Sequence, residues 1–302
     1  MIVEMIRLAR PRHWVKNVIV LFPIVFARQM DRADAWAGVL LAAAAFCLAS
    51  SAGYIVNDIR DRFADRLHPA KKGRPLASGA IGVGAAWIEA AVLATGALAL
   101  SAVLGPIFVG LIVAYLLLQA AYTGLLKRKM LVDVIAIALG FVLRAAGGAV
   151  ALRVEISPWL FVCTFTLCLF MGFCKRCNEV ATLADAGGAG RHRPTLAGYT
   201  PELLTHLITL SGAIAVISFL LYASSGMTVE RFGTIYLIYT TPVVIYGVFR
   251  FAMLSMQGRY ADPTDLILRD RPFQATVALW MAAVVVVVLK GRAIQDWLRS
   301  LY

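Results

Sequence analysis

Residues 54–80 read YIVNDIRDRFADRLHPAKKGRPLASGA and mark the point where a long apolar run gives way to charge. Four oxygen-bearing side chains come first, at Asn57, Asp58, Asp61 and Asp65. On a helix, the first, third and fourth of these share one face, while Asp58 is turned away by about 100°. Such oxygens suit Mg²⁺, which binds through a few carboxylates and substrate phosphates. The stretch predicts a metal site in which all four residues are candidate catalytic ligands.

Cations follow the acids in a segment rich in proline and glycine. Lys71, Lys72 and Arg74 lie where Pro69 and Gly73 favour a turn. Cations beside metal-binding carboxylates are suited to a diphosphate group, and we expect Lys71 and Arg74 to contact substrate. The alternative is a solvated loop at a membrane surface with no ligand.

The composition predicts a membrane protein. Of the 302 residues, 61% are hydrophobic and only 15% are charged, and the mean hydropathy is +0.79. These values are typical of a chain that crosses a bilayer several times. The net charge of +12 is spread over loops, and we find no basic and aromatic module of the kind that binds nucleic acid.

Nine apolar segments are long enough, or nearly so, to cross about 30 Å of hydrocarbon as helices. They are residues 14–29, 35–56, 83–104, 106–124, 131–151, 158–174, 202–222, 233–254 and 273–290. The first is short and is alternatively an interfacial segment. The expected fold class is therefore an all-α integral membrane protein.

The distribution of cations predicts the orientation. With nine spans, twenty of the 29 lysines and arginines lie on the side of the amino terminus, and seven lie on the other side. Positive charge is retained on the cytoplasmic side. We therefore expect a multi-pass protein of the inner (plasma) membrane, with the amino terminus and the acidic motif in the cytoplasm.

Three polar residues interrupt apolar segments. Lys16 and Asn17 lie just inside the first span, and Arg144 lies more than two turns from either end of the fifth. Polar groups are costly in hydrocarbon and usually face a cavity. We therefore expect them to contact substrate; the alternatives are an interfacial anchor for Lys16 and Asn17 and a buried ion pair for Arg144.

Further candidate contacts lie on the same side as the acidic motif. The sixth span ends in Lys175, Arg176 and Glu179, where cations take the place that acids have after the second span. Arg269 belongs to a charged loop after the eighth span, which is alternatively a self-neutralising surface network. The other predicted substrate contacts are Tyr54, Tyr122 and Lys127.

The pattern Asn57-Asp58-x-x-Asp61-x-x-x-Asp65 resembles the NDxxDxxxD signature of the UbiA superfamily of intramembrane prenyltransferases. Tyr122 to Lys127 is similar to another motif of that family. The resemblance implies a single domain over 1–302 and nine transmembrane helices around a central cavity. It also implies a cytoplasmic cap, formed by the loops after spans two, four and six (about 57–82, 122–131 and 175–201), and a diphosphate bound through Mg²⁺.

One departure from that family narrows the expected reaction. Ordinary members carry a second acidic motif after span six, where this chain has Lys175, Arg176 and Glu179. This form resembles a branch that transfers 5-phosphoribose from phosphoribosyl pyrophosphate to a polyprenyl (decaprenyl-type) phosphate, towards lipid-linked arabinose for cell-envelope glycan. The alternatives are an aromatic or quinone prenyltransferase and a lipid-phosphate transporter. A homo-oligomer is compatible with the resemblance.

Overall fold

A computed structural model describes residues 1–67, 71–185, 198–260 and 262–300. Parts of two predicted cap segments, residues 68–70 and 186–197, lie outside the described residues. All regular structure within the described ranges is helical, which confirms the all-α prediction. The α-helices are α1 (Ile2–Ala9), α2 (Phe22–Phe26), α3 (Ala33–Leu67), α4 (Pro75–Ser78), α5 (Val83–Leu104), α6 (Pro106–Gly124), α7 (Val132–Ala151), α8 (Pro158–Asp185), α9 (Pro201–Ser224), α10 (Gly226–Phe232), α11 (Thr241–Met256), α12 (Pro263–Arg269) and α13 (Arg271–Arg299).

Eight helical segments in the described part of the chain are long and apolar enough to cross a membrane. They correspond to the second to ninth predicted spans, and the protein is an integral membrane protein. The predicted number of nine is not confirmed, because the segment 14–29 does not form a long α-helix. The central cavity and the cytoplasmic cap stay predictions.

The amino-terminal apolar segment has an irregular helical path. Residues Pro11–Leu21 form a 3₁₀-helix, which passes into the short helix α2. Pro23 has no amide hydrogen and cannot donate the bond that a continuous α-helix requires at this point. Arg28 then takes a left-handed conformation with φ 57°. A periodicity of apolar residues does not reveal these interruptions.

Contacts between α-carbons divide the described residues into two units, each with its own interior. The first contains residues 1–24 and 30–156, and the second contains 25–29, 157–185 and 198–300. In the first unit, Phe46 of α3 lies edge-on to Phe108 and Tyr115 of α6, with ring centroids 5.9 Å and 5.5 Å apart. Small alanines of α3 and α5 complete this cluster and let the helices pack closely.

Helix α7 approaches the 3₁₀-helix through glycine. A β-carbon at Gly148 would lie 2.0 Å from the carbonyl oxygen of Val20, and one at Gly147 would lie 2.4 Å from the Phe46 ring. Only a residue without a side chain permits such an approach. This contact holds the residues around Asn17 against α7.

In the second unit, an aromatic chain joins α8, α11 and α13. Phe251 of α11 packs between Phe170 and Phe273, with both centroid distances at 5.7 Å. Beside it, Arg250 donates to both oxygens of Asp270 at 2.7 Å and 2.9 Å. Asp270 also accepts from the backbone N–H of Phe273 at 2.8 Å, which caps the first turn of α13.

Asp270→Asn is expected to lower the Tm of the purified protein by roughly 4 °C, because it removes the charge that both contacts use. Arg250 holds the pKa of Asp270 below its usual value, and the Phe273 N–H adds to the effect. The stabilisation is therefore complete above the pKa of an unfolded aspartate, about 3.9, and is lost as pH falls through the lowered folded-state pKa.

Thermal unfolding in detergent at pH 7 and at pH 4 to 3 measures this prediction. Asp34→Asn is the control, because Asp34 forms an exposed pair with Arg32 and exposed pairs stabilise proteins little. An Asp270→Asn variant with the same Tm as wild type at pH 7 would contradict a stabilising role of the ion pair between Arg250 and Asp270.

Candidate active site

The acidic motif occupies the last three turns of α3. The helix continues beyond the apolar residues to Leu67, since neither proline nor glycine occurs between Gly53 and Pro69. Asp58 and Asp65 are buried, whereas Asn57 and Asp61 are half-buried. The predicted helical spacing of the motif is therefore present in the structure.

Asn57 and Asp61 converge on one cation, Lys127. The Lys127 ammonium lies 3.0 Å from Asn57 Oδ1 and 2.6 Å from Asp61 Oδ1. Helix α6 ends at Gly124, and Lys127 follows in the 3₁₀ turn Leu126–Arg128. Two residues that are four apart on α3 thus point their oxygens at the same centre.

Asp58 and Asp65 instead contact two arginines. Arg10 Nη2 donates to both oxygens of Asp58 at 2.5 Å and 2.6 Å. Arg74 Nη1 lies 3.2 Å from Asp58 Oδ1 and 2.6 Å from Asp65 Oδ2. The motif therefore divides into a lysine-facing pair and an arginine-facing pair.

This division decides what kind of metal site the residues fit. Among the described residues, no group of three or more His, Cys, Asp or Glu side chains is arranged to hold a metal ion. The oxygens of Asn57 and Asp61 that converge on Lys127 do fit an ion that takes few protein ligands and completes its shell with water and substrate phosphate, as Mg²⁺ does.

Arg144 is buried in the first unit with only 4% of its surface exposed. Its Nε donates to Asn17 Oδ1 at 2.6 Å, its Nη2 to the Tyr115 hydroxyl at 2.6 Å, and its Nη1 to the Gly140 carbonyl at 3.0 Å. The guanidinium also lies 4.7 Å from the Tyr115 ring centroid. Arg144 therefore bonds to neutral polar groups rather than to the carboxylate of the alternative ion pair, and its contact with substrate stays a prediction.

The first unit also contains the predicted contacts Tyr54, Lys16, Lys71 and Tyr122. Tyr54 packs against Arg10, whose guanidinium carbon is 5.6 Å from the ring centroid. Lys16, Lys71 and Tyr122 are half-buried. Lys16 forms no hydrogen bond or ion pair with the part of the chain that the structure describes, which leaves its ammonium available for an anion.

The second unit contains the remaining predicted residues. Lys175 Nζ lies 3.1 Å from Asp262 Oδ2. Arg176 is fully buried and pairs with Glu179 one helical turn away. Arg269 is exposed, and its Nε is 3.8 Å from Asp265, which agrees with the alternative of a self-neutralising surface network.

Several partners of the predicted residues were not themselves predicted, among them Tyr115 beside Arg144 and Asp265 beside Arg269. Arg10 contacts the acidic motif although 48 residues separate it from Asp58, and Asp262 faces Lys175. The sequence signal for Arg10 was its position before Pro11, where a helix usually ends. In the structure Arg10 lies between α1 and the 3₁₀-helix, in the left-handed region with φ 55°. Positive charge before a span is explained by topology alone, and this concealed the contact.

The fold and this arrangement define a helical integral membrane protein with a carboxylate and cation site at the end of its first long helix. The sequence model described as the UbiA prenyltransferase family matches residues 18–268. The chain therefore belongs to the UbiA prenyltransferase family, as the acidic motif predicted.

Relatives and solved structures agree with that family. The chain is 33% identical, over 96% of each chain, to a protein of Mycobacterium tuberculosis named decaprenyl-phosphate phosphoribosyltransferase. It is 32% identical to the protein of that name from Mycolicibacterium smegmatis, over 93% of this chain and 91% of the other. A UbiA homolog from Archaeoglobus fulgidus, solved with GPP and Mg²⁺, has a TM-score of 0.70 at 21% identity and covers 94% of this chain and 99% of its own.

Proposed function

We propose that this protein transfers 5-phosphoribose from phosphoribosyl pyrophosphate to a polyprenyl phosphate of the decaprenyl type, with release of diphosphate. The observation that carries the proposal is the 33% identity, along 96% of both chains, to a protein named for this activity. The cations Lys175 and Arg176, in the place of a second acidic motif, support the same reaction. The product would enter the synthesis of lipid-linked arabinose for cell-envelope glycan.

The chemistry of the acceptor agrees with the residues present. A lipid phosphate oxygen is already anionic at neutral pH and needs no general base to become a nucleophile. The protein must instead bring two anionic substrates together and stabilise the leaving diphosphate. In-line attack at C1 of the ribose would invert that centre, so an α-linked donor would give a β-linked product.

Mg²⁺ is the proposed cofactor, as in the Archaeoglobus homolog solved with Mg²⁺. Asn57 and Asp61 would hold it, whereas Asp65, which helical spacing placed on the same face, contacts Arg74. The ion would supply positive charge to the leaving diphosphate when bound. Lys127, which contacts both oxygens of this pair, would bind the diphosphate beside them.

Cations outside the metal pair have proposed roles in holding phosphate. In the first unit, Lys71 and Arg74 would bind phosphate groups of the donor. In the second unit, Lys175 and Arg176 stay predicted phosphate contacts. Lys16, half-buried in the 3₁₀-helix, would bind the phosphate of the lipid acceptor. Its place at the start of an apolar segment would let the phosphate meet the ammonium while the isoprenoid chain stays in the hydrocarbon.

We further propose that the predicted span 14–29 crosses the membrane as a ninth segment, by way of the 3₁₀-helix and α2. A 3₁₀-helix rises about 2.0 Å per residue and an α-helix about 1.5 Å. These values give a length of about 30 Å over Pro11–Leu21 and Phe22–Phe26, which equals the hydrocarbon thickness. With nine crossings the excess of positive charge would face the cytoplasm from the inner membrane. The family match, residues 18–268, supports one domain.

Two parallel assays on the purified protein test the proposed reaction. The first supplies radiolabelled phosphoribosyl pyrophosphate and polyprenyl phosphate with Mg²⁺, and the second supplies a prenyl diphosphate with an aromatic acid. We expect labelled lipid in the first assay and no product in the second. Product in the second assay alone would assign the chain to aromatic prenyl transfer.

A further inference from the structure

The arginine-facing half of the acidic motif has a geometry of its own. Asp58 is nearly inaccessible, with 3% of its side chain exposed, whereas Arg10 and Arg74 are 20% and 27% exposed. A buried carboxylate thus lies beneath two guanidinium groups that reach the surface. Because both arginines meet the Oδ1 atom of Asp58, their charged groups are held close together.

Much of the hydrogen-bonding capacity of these arginines is unused by the described residues. The guanidinium of Arg10 donates there through Nη2 alone, and that of Arg74 through Nη1 alone. Each guanidinium has five N–H groups in a fixed plane, a geometry that matches phosphate oxygens. Two adjacent guanidinium groups with free N–H edges form a receptor for a phosphate.

Contacts between α1 and α3 fix the position of Arg10. Leu8 is fully buried in a cluster with Ile55 and Ile59 of α3, and the Ser51 hydroxyl donates to the Ala9 carbonyl at 2.7 Å. The left-handed turn at Arg10 follows immediately. A non-glycine residue takes that conformation at an energetic cost, so the surrounding contacts must hold Arg10 in this position.

We infer that Asp58 is a positioning residue that holds Arg10 and Arg74 for a phosphate group of the donor, and that it does not bind the metal. The inference rests on the proposed function for the identity of the donor. It adds Arg10 to the binding site and gives the two halves of the motif different roles. Asn57 and Asp61 serve the metal, while Asp58 orients the two arginines.

Two binding measurements on the detergent-purified protein separate these roles. The first titrates pyrophosphate in the presence of a chelator, so that no metal contributes; the second titrates Mn²⁺ alone. We expect Arg10→Gln and Asp58→Asn to weaken metal-free pyrophosphate binding by roughly 10- to 100-fold, the loss typical of a hydrogen bond to a charged group. Both should leave Mn²⁺ affinity within about threefold of wild type.

Asp61→Asn should behave in the opposite way. It should weaken Mn²⁺ binding by at least about tenfold and leave metal-free pyrophosphate binding unreduced, since it removes a negative charge. Arg62→Gln is the matched control for charge, because Arg62 donates only to the Ile59 carbonyl of its own helix among the described residues. The double variant of Arg10 and Asp58 should lose no more affinity than either single variant.

Ribose 5-phosphate is the second probe, because the donor carries phosphate at both ends. A loss confined to pyrophosphate in Arg10→Gln assigns the arginines to the leaving group, and a loss confined to ribose 5-phosphate assigns them to the 5-phosphate. Either result supports the inference. If wild type binds pyrophosphate but neither ribose 5-phosphate nor phosphoribosyl pyrophosphate, the proposed function fails, while the pyrophosphate titrations still test the arginines.

Two results would overturn the inference. One is an Asp58→Asn variant that loses Mn²⁺ affinity as strongly as Asp61→Asn, which would make Asp58 a metal ligand. The other is an Arg10→Gln variant that binds both phosphate probes as wild type does. Arg10→Gln leaves the buried carboxylate intact, so the second result can be obtained even if Asp58→Asn fails to fold.

Discussion

Asp61→Asn is expected to reduce kcat/KM by about 1000-fold, equivalent to about 4 kcal/mol of transition-state stabilisation. Asparagine preserves the shape of the side chain and an oxygen for Lys127, but it removes the negative charge. Asp61 Oδ1 lies 2.6 Å from the Lys127 ammonium, which also contacts Asn57 Oδ1. A weakened metal site would leave the developing charge of the diphosphate uncompensated.

Initial rates measured with increasing Mg²⁺ test this expectation. If Asp61 is a metal ligand, excess Mg²⁺ should restore part of the rate that Asp61→Asn loses. If Asp61 is purely structural, excess Mg²⁺ should not change the rate of the variant. Asp34→Asn removes an exposed carboxylate from the start of the same helix and should retain full activity. Wild-type turnover by Asp61→Asn would remove the basis for the proposed metal pair.

Gly148→Ala is expected to have the largest effect on folding, a loss of about 3 kcal/mol or more. The added β-carbon would lie 2.0 Å from the Val20 carbonyl oxygen and 3.0 Å from Pro23 Cγ. Neither a backbone carbonyl nor a proline ring can rotate away. The 3₁₀-helix would have to shift, and the hydrogen bond of 2.6 Å between Arg144 and Asn17 would be lost with it.

Gly147 on the same helix and Gly110 on α6 supply graded controls for this substitution. At Gly147 the obstructing atom belongs to the Phe46 ring at 2.4 Å, a side chain that can move at some cost. At Gly110 no atom lies within 4 Å of the added carbon among the described contacts, so alanine should be tolerated. Yield and Tm in detergent should fall in the order Gly110→Ala, Gly147→Ala, Gly148→Ala. Equal behaviour of all three would contradict close packing of α7 on the 3₁₀-helix.

The sequence predicts the long helices well, because apolar runs of about twenty residues have few alternatives in a membrane. It does not predict the backbone path of the first segment. Residues 14–29 are apolar enough to suggest a span, yet Pro23 and the left-handed Arg28 divide them into short pieces. Hydropathy reports how readily a segment enters hydrocarbon and does not report which hydrogen bonds its backbone forms.

The site was predictable where the contacts are local. Helical spacing placed Asn57, Asp61 and Asp65 on one face with Asp58 turned away. Asn57 and Asp61 do share the contact with Lys127, but Asp65 contacts Arg74, as Asp58 does. The partners were not predictable, because Arg10 and Lys127 reach the motif across 48 and 66 residues. Only the packing of α1 and of the turn after α6 against α3 brings them there, and no spacing rule describes such contacts.

The structure also changes the interpretation of Arg144. A cation within an apolar span suggests a substrate contact or a carboxylate partner. In the structure Arg144 donates to Asn17, Tyr115 and a backbone carbonyl, and the nearby aromatic rings add a cation–π contribution. Asn17 and Tyr115 are uncharged and lie 127 and 29 residues from Arg144 in the sequence. No charge pattern in the sequence could therefore have indicated these contacts.

Mass spectrometry of the lipid product tests the central claim most directly. Purified protein is incubated with Mg²⁺, phosphoribosyl pyrophosphate and polyprenyl phosphate, and the lipid fraction and released diphosphate are quantified together. We predict a lipid whose mass has increased by one phosphoribosyl group, with one diphosphate released for each lipid converted. Unchanged polyprenyl phosphate in a protein that remains folded and binds both substrates would contradict phosphoribosyl transfer.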